Sequence, residues 1–247
     1  MSEFESAFLC GLIKKYEPKK ILEVGVAAGG TTAIILQCLE SIGKEYKMYS
    51  VEALKYFYLM PEKTAGFLAE PVRQNLNIGT HKFYLGQILP EVIDDIEGDI
   101  DFVILDTVHS LPGELLDFLV AIHYLTDNAV VCMHDVSLHQ RRQFIFSHAT
   151  DILFSTVVAD KMLNFLPNDD EKYNSKYANI AAFQINSQTM KNIYNIFLAL
   201  TLRWAYLPTQ EQFNAYQNFI RQNYPQDLYS LFIESAKMNI YNLQNRA

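Results

Sequence analysis

Histidine and aspartate side chains follow two strongly apolar segments of the chain. Asp106 comes directly after "DFVIL", His109 follows in the next few residues, and His134 and Asp135 come directly after "AVVCM". A neutral imidazole, with an unperturbed pKa of about 6.5, accepts a proton from a hydroxyl group at neutral pH. The sequence therefore predicts that His109 or His134 is a general base. The alternative is that either histidine only hydrogen-bonds to loop backbone.

A second set of residues is suited to binding a nucleoside. Gly25, Ala27 and Gly29 follow the apolar segment "KKILEV", and such small residues let a ligand approach the backbone closely. Glu52 ends the next apolar segment, and a carboxylate there accepts hydrogen bonds from both hydroxyls of a ribose. The alternative for Glu52 is a solvated residue at the end of a strand.

The scaffold for these residues is predicted from alternating segments. Strand-like segments at 19–25, 46–52, 81–86, 99–106, 128–135 and 153–159 alternate with helix-like segments at 30–42, 55–77, 87–97, 112–126 and 136–149. This alternation favours a doubly wound, mostly parallel sheet with helices on both faces, and its ligand lies at the carboxyl ends of the strands. A seventh strand at 178–186 follows the polar loop 167–177 without a helix. It is expected to pair antiparallel with the strand at 153–159, and this pair is expected at the sheet edge.

Capping rules refine the boundaries of the helices. Pro112 lies near the start of one predicted helix and Gly43 just past the end of another, as these residue types favour. Thr31 and Thr32 are predicted to cap the helix that follows the small-residue loop.

The residues from 187 to 247 form a C-terminal helical extension beyond the α/β part, 1–186. Three helices are expected there, divided by Pro208 and Pro225. The extension carries many large apolar side chains, including Trp204, Phe213, Phe219, Tyr229 and Phe232. Helices with apolar residues on several faces need partners. We expect the extension to cover the acceptor end of the site and to form a homodimer interface. The alternative is packing on its own sheet.

The bulk composition narrows the classes of partner and compartment. The chain has 247 residues, half of them apolar, and a net charge of -8. An acidic protein lacks the basic surface that nucleic acids and anionic membranes require, so a small-molecule partner is expected. The three cysteines show no CxxC spacing, the N-terminus does not resemble a secretion signal, and no apolar run approaches the roughly 20 residues of a membrane span. These features predict a cytoplasmic protein.

The small-residue loop resembles a known motif. "EVGVAAGG" is similar to the E/D-x-G-x-G-x-G motif of class I S-adenosylmethionine-dependent methyltransferases, with Ala27 at the middle glycine. Dinucleotide-binding proteins instead carry G-x-G-x-x-G, usually without the preceding acid, here Glu23. An antiparallel last strand also resembles the methyltransferase sheet.

The resemblance assigns a cofactor and its contacts. It implies that Glu23, Gly25 and Gly29 line the methionine end of S-adenosylmethionine and that Glu52 holds its ribose. Ala53 would then lie beside the adenine. Gln87 would contact the adenine amino group, although capping the following helix is an equal alternative.

A longer block, residues 101–135, resembles the D-x-x-H…D…H-D pattern of the macrocin O-methyltransferase and cephalosporin hydroxylase group, whose members tailor natural products or surface sugars. Its spacing also resembles the metal site of catechol-type O-methyltransferases, which implies Asp106, His134 and Asp135 as ligands of a divalent cation. A cation there would promote ionisation of a substrate hydroxyl. A histidine ligand favours manganese, iron or zinc over magnesium. The general-base interpretation needs no metal.

These features together predict a methyltransferase acting on the hydroxyl of a small molecule or an activated sugar, in polysaccharide or natural-product tailoring. Two alternatives are a metal-dependent hydroxylase of the cephalosporin hydroxylase kind, and a non-catalytic binding module with the same fold.

Overall fold

The computed structural model describes residues 1–140, 144–163 and 179–244. Its strands are β1 (Lys20–Val24), β2 (Lys47–Glu52), β3 (Tyr56–Phe57), β4 (Met60–Thr64), β5 (Thr80–Leu85), β6 (Ile100–Leu105), β7 (Leu125–His134), β8 (Asp160–Leu163) and β9 (Ile180–Gln184). Seven of them form one sheet in the order β5-β2-β1-β6-β7-β9-β8. β9 is antiparallel to both neighbours, and the pairs from β5 to β7 are parallel. The predicted fold class is confirmed. The polar loop 167–177 lies outside the described residues.

The helices are α1 (Glu3–Tyr16), α2 (Gly30–Ile42), α3 (Glu70–Arg73), α4 (Leu89–Ile96), α5 (Gly113–Ala121), α6 (Ala149–Thr156), α7 (Tyr194–Ala199), α8 (Gln210–Asn223) and α9 (Gln226–Gln244). Alternate residues of a strand point to opposite faces of a sheet. Accordingly, Ile21 and Phe102 pack with α1 and α2, while Leu22 and Val103 pack with α4, α5 and the C-terminal helices. None of the described helices is long and apolar enough to cross a membrane.

Several predicted boundaries are confirmed. Segment 30–42 is α2, and Gly43 ends it with a φ of 77°. Pro112 directly precedes α5, which is followed by a short 3-10 helix at Ile122–Tyr124. The threonine caps were wrong: Gly29 is the N-cap of α2 without a side-chain hydrogen bond, and Thr32 donates to Glu23 instead.

Three predicted elements were also wrong. Segment 55–77 forms the β3–β4 hairpin and the short α3, because Gly66 turns the chain with a φ of 79° and lies directly against the Phe83 ring. Segment 153–159 begins as the end of α6, and the edge strand starts only at Asp160. Segment 136–149 contains a 3-10 helix at Leu138–Gln140, with α6 starting at its last residue; positions 141–143 lie outside the described residues.

The C-terminal helices pack on the sheet's own helical layer. Trp204 and Phe232 are fully buried in the larger hydrophobic cluster, and Phe213 and Tyr229 pack against it. Burial of such a side chain contributes roughly 1.5–3 kcal/mol. The packing alternative accounts for these aromatic residues within one chain. The homodimer stays a prediction.

Candidate active site

A cavity of about 670 Å³ lies at the carboxyl ends of the central strands. This volume is typical of small-molecule sites. Its wall includes nearly all of the residues singled out in the sequence: Gly25, Ala27, Glu52, Ala53, Gln87, Asp106, His109, His134 and Asp135. A second depression of similar volume lies between α6 and α7, but no acid or histidine lines it. We therefore place the candidate site in the first cavity.

The glycines of the small-residue loop are required by crowding of the chain itself. Gly25 has a φ of 93°, and a Cβ there would lie 2.0 Å from the carbonyl oxygen of Asp106. A Cβ at Gly29 would lie 2.7 Å from the Cα of Gly66. Gly25 lines the cavity, whereas Gly29 is absent from its described wall. Gly29 thus shapes the loop, and its predicted cofactor contact stays a prediction.

Glu52 holds the small-residue loop in place while lining the cavity. Its Oε2 accepts hydrogen bonds from the backbone of Val26 at 3.0 Å and Ala27 at 2.9 Å, and its Oε1 accepts one from Leu54 at 2.9 Å. Two carboxylate oxygens have about four acceptor positions. Acceptor capacity therefore remains on Glu52 for a ligand hydroxyl, as the ribose prediction requires.

Glu23 lies beneath the cavity rather than in its wall. It is fully buried, and its Oε2 accepts hydrogen bonds from Thr32 at 2.8 Å and Ser50 at 2.6 Å. Burial raises the pKa of Glu23 to about 8, against the opposing effect of these hydroxyls. Its Oε1 has no hydrogen-bond partner among the described residues. The structure thus shows Glu23 joining β1, β2 and α2, and its predicted contact with a cofactor stays a prediction.

Ala53 and Gln87 both line the cavity where the adenine was expected. The capping alternative for Gln87 was wrong, because Ile88 is the N-cap of α4.

The four predicted catalytic and metal-binding residues converge. His134 Nδ1 lies 3.3 Å from both Asp106 Oδ1 and Asp135 Oδ2, and His109 Nε2 lies 3.2 Å from Asp135 Oδ2 and 3.8 Å from Asp106 Oδ1. One ligand atom each from Asp106, His134 and Asp135 fits within 4.8 Å. We call these four residues the acceptor cluster.

Comparison with known proteins identifies the part of the chain that contains this site. Residues 22–136, from β1 to just beyond Asp135, match the family profile described as a methyltransferase domain. The matched stretch contains Glu52 and all four residues of the acceptor cluster. No curated protein matches the sequence.

Solved structures share the methyltransferase fold. The SAH-bound methyltransferase PaMTH1 of Podospora anserina has 13% identity and a TM-score of 0.52, over 76% of this chain and 80% of that chain. The O-methyltransferase TomG of Streptomyces achromogenes, in complex with SAM, has 16% identity and a TM-score of 0.50, over 76% and 82%. At these identities the similarity establishes the fold.

Residues that sequence reasoning missed surround the acceptor cluster. Glu5 of α1 places Oε2 3.5 Å from His134 Nε2. Asn179 donates to Glu5 Oε1 at 3.0 Å and to Asp135 Oδ1 at 2.7 Å. Glu114, fully buried on α5, accepts from the His109 backbone at 2.5 Å and lies 3.4 Å from His109 Nδ1. The sequence around Glu5, "SEFE", is typical of a capping box and carries no signal of a contact with His134.

The carboxylates control the charge of both histidines. Burial lowers the pKa of His134, but Asp106, Asp135 and Glu5 outweigh burial and raise it well above the ordinary value. Burial likewise opposes charge on His109, yet Glu114, Asp106 and Asp135 raise its pKa. The carboxylates thus shift both imidazoles towards the protonated form. A protonated imidazole cannot accept a proton.

The C-terminal helices complete the cavity. Tyr206, Pro208, Gln212 and Tyr216 belong to its wall. Tyr216 donates to Asp117 Oδ1 at 2.6 Å, and burial raises the pKa of Asp117 to about 7. The C-terminal extension thus contributes directly to the site.

Proposed function

We propose that this protein transfers the methyl group of S-adenosylmethionine to a hydroxyl oxygen of a small molecule or an activated sugar. One observation carries the proposal: a single cavity joins the loop held by Glu52 to the acceptor cluster. TomG, an O-methyltransferase bound to SAM, and SAH-bound PaMTH1 support the choice of cofactor.

The charge of the cavity fits this cofactor. Carboxylates of Glu52, Asp106 and Asp135 line it, and S-adenosylmethionine carries a cationic sulfonium and ammonium group. When bound, the cofactor supplies a methyl group on positively charged sulfur. Gly25 would then contact its methionine end, and Ala53 and Gln87 would contact its adenine.

The acceptor cluster fits a divalent cation. Two carboxylates and one imidazole, from Asp106, Asp135 and His134, form a donor set suited to manganese, iron or zinc. A cation there would lower the pKa of a bound hydroxyl. A metal-binding histidine commonly donates its other ring N–H to a carboxylate, and Glu5 lies beside His134 Nε2 in that position.

The surroundings of His134 favour ligation over general-base catalysis. Carboxylate oxygens face both of its ring nitrogens, at 3.3 Å and 3.5 Å. Without a cation this arrangement stabilises imidazolium, whereas ligation requires neutral imidazole and leaves one N–H for Glu5. His109 is the better candidate to receive the acceptor proton once a cation neutralises the neighbouring carboxylates.

The side chains from the C-terminal helices exclude water and orient the acceptor. Positioning accounts for much of the acceleration, since methyl transfer requires the acceptor oxygen in line with the sulfonium. The hydroxylase alternative receives less support, because the profile match to a methyltransferase domain spans both halves of the cavity.

Isothermal titration tests the cofactor assignment. We expect micromolar affinity for S-adenosylmethionine and its demethylated product, and no comparable binding of NAD. Formation of the demethylated cofactor with catechols or sugar nucleotides as acceptors then tests methyl transfer. Binding of NAD without binding of S-adenosylmethionine would contradict the proposal.

We also infer a homodimer. α7 and α9 contact each other. Large apolar side chains are exposed on these helices and just after α7: Tyr194, Leu198, Leu202, Met238 and Tyr241. Burial of these side chains against a second copy would remove apolar surface from water. Light scattering at micromolar concentration is expected to give twice 28.4 kDa. A mass of one chain would exclude the dimer.

A further inference from the structure

A second group of metal-ligating side chains lies outside the acceptor cluster. His139 belongs to the 3-10 helix that follows β7, and His148 and Asp151 lie at the start of α6. One ligand atom from each of the three fits within 4.8 Å. The two imidazole rings have centroids 4.5 Å apart and are tilted by 29°. None of these residues lines the candidate active site.

We propose that His139, His148 and Asp151 form a second site for a divalent transition metal of the zinc type. Two imidazoles and one carboxylate are a donor set that zinc accepts, with a fourth position left for water. His139 Nδ1 is buried and has no hydrogen-bond partner among the described residues. A metal bond satisfies such a nitrogen, and Asp151 supplies the negative charge that two neutral imidazoles lack.

The second site connects both loops that carry the acceptor cluster. The Leu138 backbone donates to the Asp135 carbonyl at 3.2 Å, so His139 lies on the turn that follows Asp135. The Ala149 backbone donates to the His109 carbonyl at 3.2 Å, directly after His148. An ion held by His139 and His148 therefore fixes the two chain segments that contact Asp135 and His109. Its role is to hold these segments together rather than to contact substrate.

The position of His148 allows a ligand to be removed without disturbing the helix. His148 is the N-cap of α6 and makes no side-chain capping hydrogen bond. Asparagine is a favoured N-cap residue, so His148→Asn removes the imidazole while preserving the start of the helix. Asp151→Asn removes the carboxylate at nearly constant volume. His123→Asn is the matched control, because His123 is exposed and belongs to neither cluster.

Zinc binding to the full chain, stripped of metals beforehand, tests the proposal. We expect wild type and His123→Asn to bind one zinc ion more than His148→Asn and Asp151→Asn, measured by mass spectrometry of bound metal after gel filtration. Asp135→Asn removes a ligand of the acceptor cluster only, so zinc bound by this variant reports on the second site. We expect zinc affinity at the second site to fall more than about 100-fold in His148→Asn, since loss of even an outer partner costs about 10–100-fold.

Hydrogen exchange provides a readout of the predicted mechanical link. Zinc is expected to slow amide exchange in the peptide containing Ala149 in wild type and in Asp135→Asn, but not in His148→Asn. Circular dichroism without metal checks that each variant is folded. Equal zinc stoichiometry and affinity in wild type and both second-site variants would overturn the proposal. So would loss of all bound zinc in Asp135→Asn.

Discussion

The two ends of the cavity neutralise their charges by different means. At the loop end, Glu52 is surrounded by backbone N–H groups, which cannot change protonation. At the acceptor end, Asp106 and Asp135 face two histidines. Backbone N–H groups are fixed dipoles, whereas paired titratable groups exchange protons. The difference is consistent with the proposed cofactor binding at one end and proton chemistry at the other.

The largest expected effect is on turnover at the acceptor end. Asp135→Asn removes a carboxylate that faces both histidines, and we expect turnover to fall by about 10²–10⁴. Cofactor affinity is expected to fall far less than turnover, because Glu52 and the loop it holds are unchanged. Steady-state kinetics and titration calorimetry measure the two quantities, with Asp127→Asn, an exposed aspartate of β7, as control. An equal loss of affinity and turnover would remove the distinction between the ends.

Glu5 extends the acceptor end into α1. Glu5→Gln removes the charge behind His134 but retains a residue type that completes the capping box with Ser2. We expect turnover to fall about 10–100-fold, as for outer partners of metal-binding histidines. The pKa of His134, followed by NMR, is expected to fall because a stabilising carboxylate is gone. Ser2→Ala weakens the cap alone, and a similar change in turnover there would indicate a merely structural role.

The opposite pattern is expected at the loop end. Glu52→Gln replaces an acceptor of three backbone hydrogen bonds, each worth about 1.5–3 kcal/mol when charged. Partial retention through the amide oxygen gives an expected 10–100-fold loss of S-adenosylmethionine affinity, with little change in turnover at saturation. Calorimetry at several pH values measures the affinity, and Glu45→Gln, at an exposed position, is the control. Unchanged affinity in a folded variant would exclude Glu52 from cofactor binding.

Glu23 tests whether a titratable group beneath the loop affects stability instead of binding. Its pKa in the folded chain, about 8, lies above the unfolded value of 4.5. The stabilising contribution is therefore fully present below pH 4.5 and is lost as the pH rises through about 8. Glu23→Gln cannot ionise, so its free energy of unfolding is expected to decline less between pH 5 and 8, by up to about 1 kcal/mol per pH unit. Urea denaturation at each pH measures this free energy. An equal decline in wild type and variant across this range would contradict the assignment.

The loop end was largely predictable because its contacts join consecutive units of the alternating pattern. Glu52 ends β2 and Gly25 directly follows β1, and the carboxyl ends of these two strands must meet in a parallel sheet. Glu5 and Asn179 were not predictable in the same way. They reach the acceptor cluster from α1 and from the residue before β9. Nothing in their local sequence encodes a contact made only when the sheet is assembled.

Errors in secondary structure have a related cause. Segment 55–77 shows apolar residues at helical spacing, but Tyr58, Leu59 and Leu68 are exposed. Their periodicity therefore reflects no buried helix face. In the C-terminal extension the aromatic residues correctly predicted burial. The sequence could not predict which surface covers them, because that surface includes α5, whose position periodicity does not specify.

The contact between Tyr216 and Asp117 has a consequence for the evolution of acceptor preference. Asp117 and Glu114 lie on the same short helix, α5, and Glu114 holds the backbone of His109. Tyr224 also donates to the Leu119 carbonyl of that helix. The C-terminal helices therefore cannot be replaced independently of α5. Grafting a different extension onto this sheet would disturb the histidine loop along with the cavity wall, so new acceptors are more accessible through point substitutions at Tyr206 or Gln212 than through recombination of whole segments.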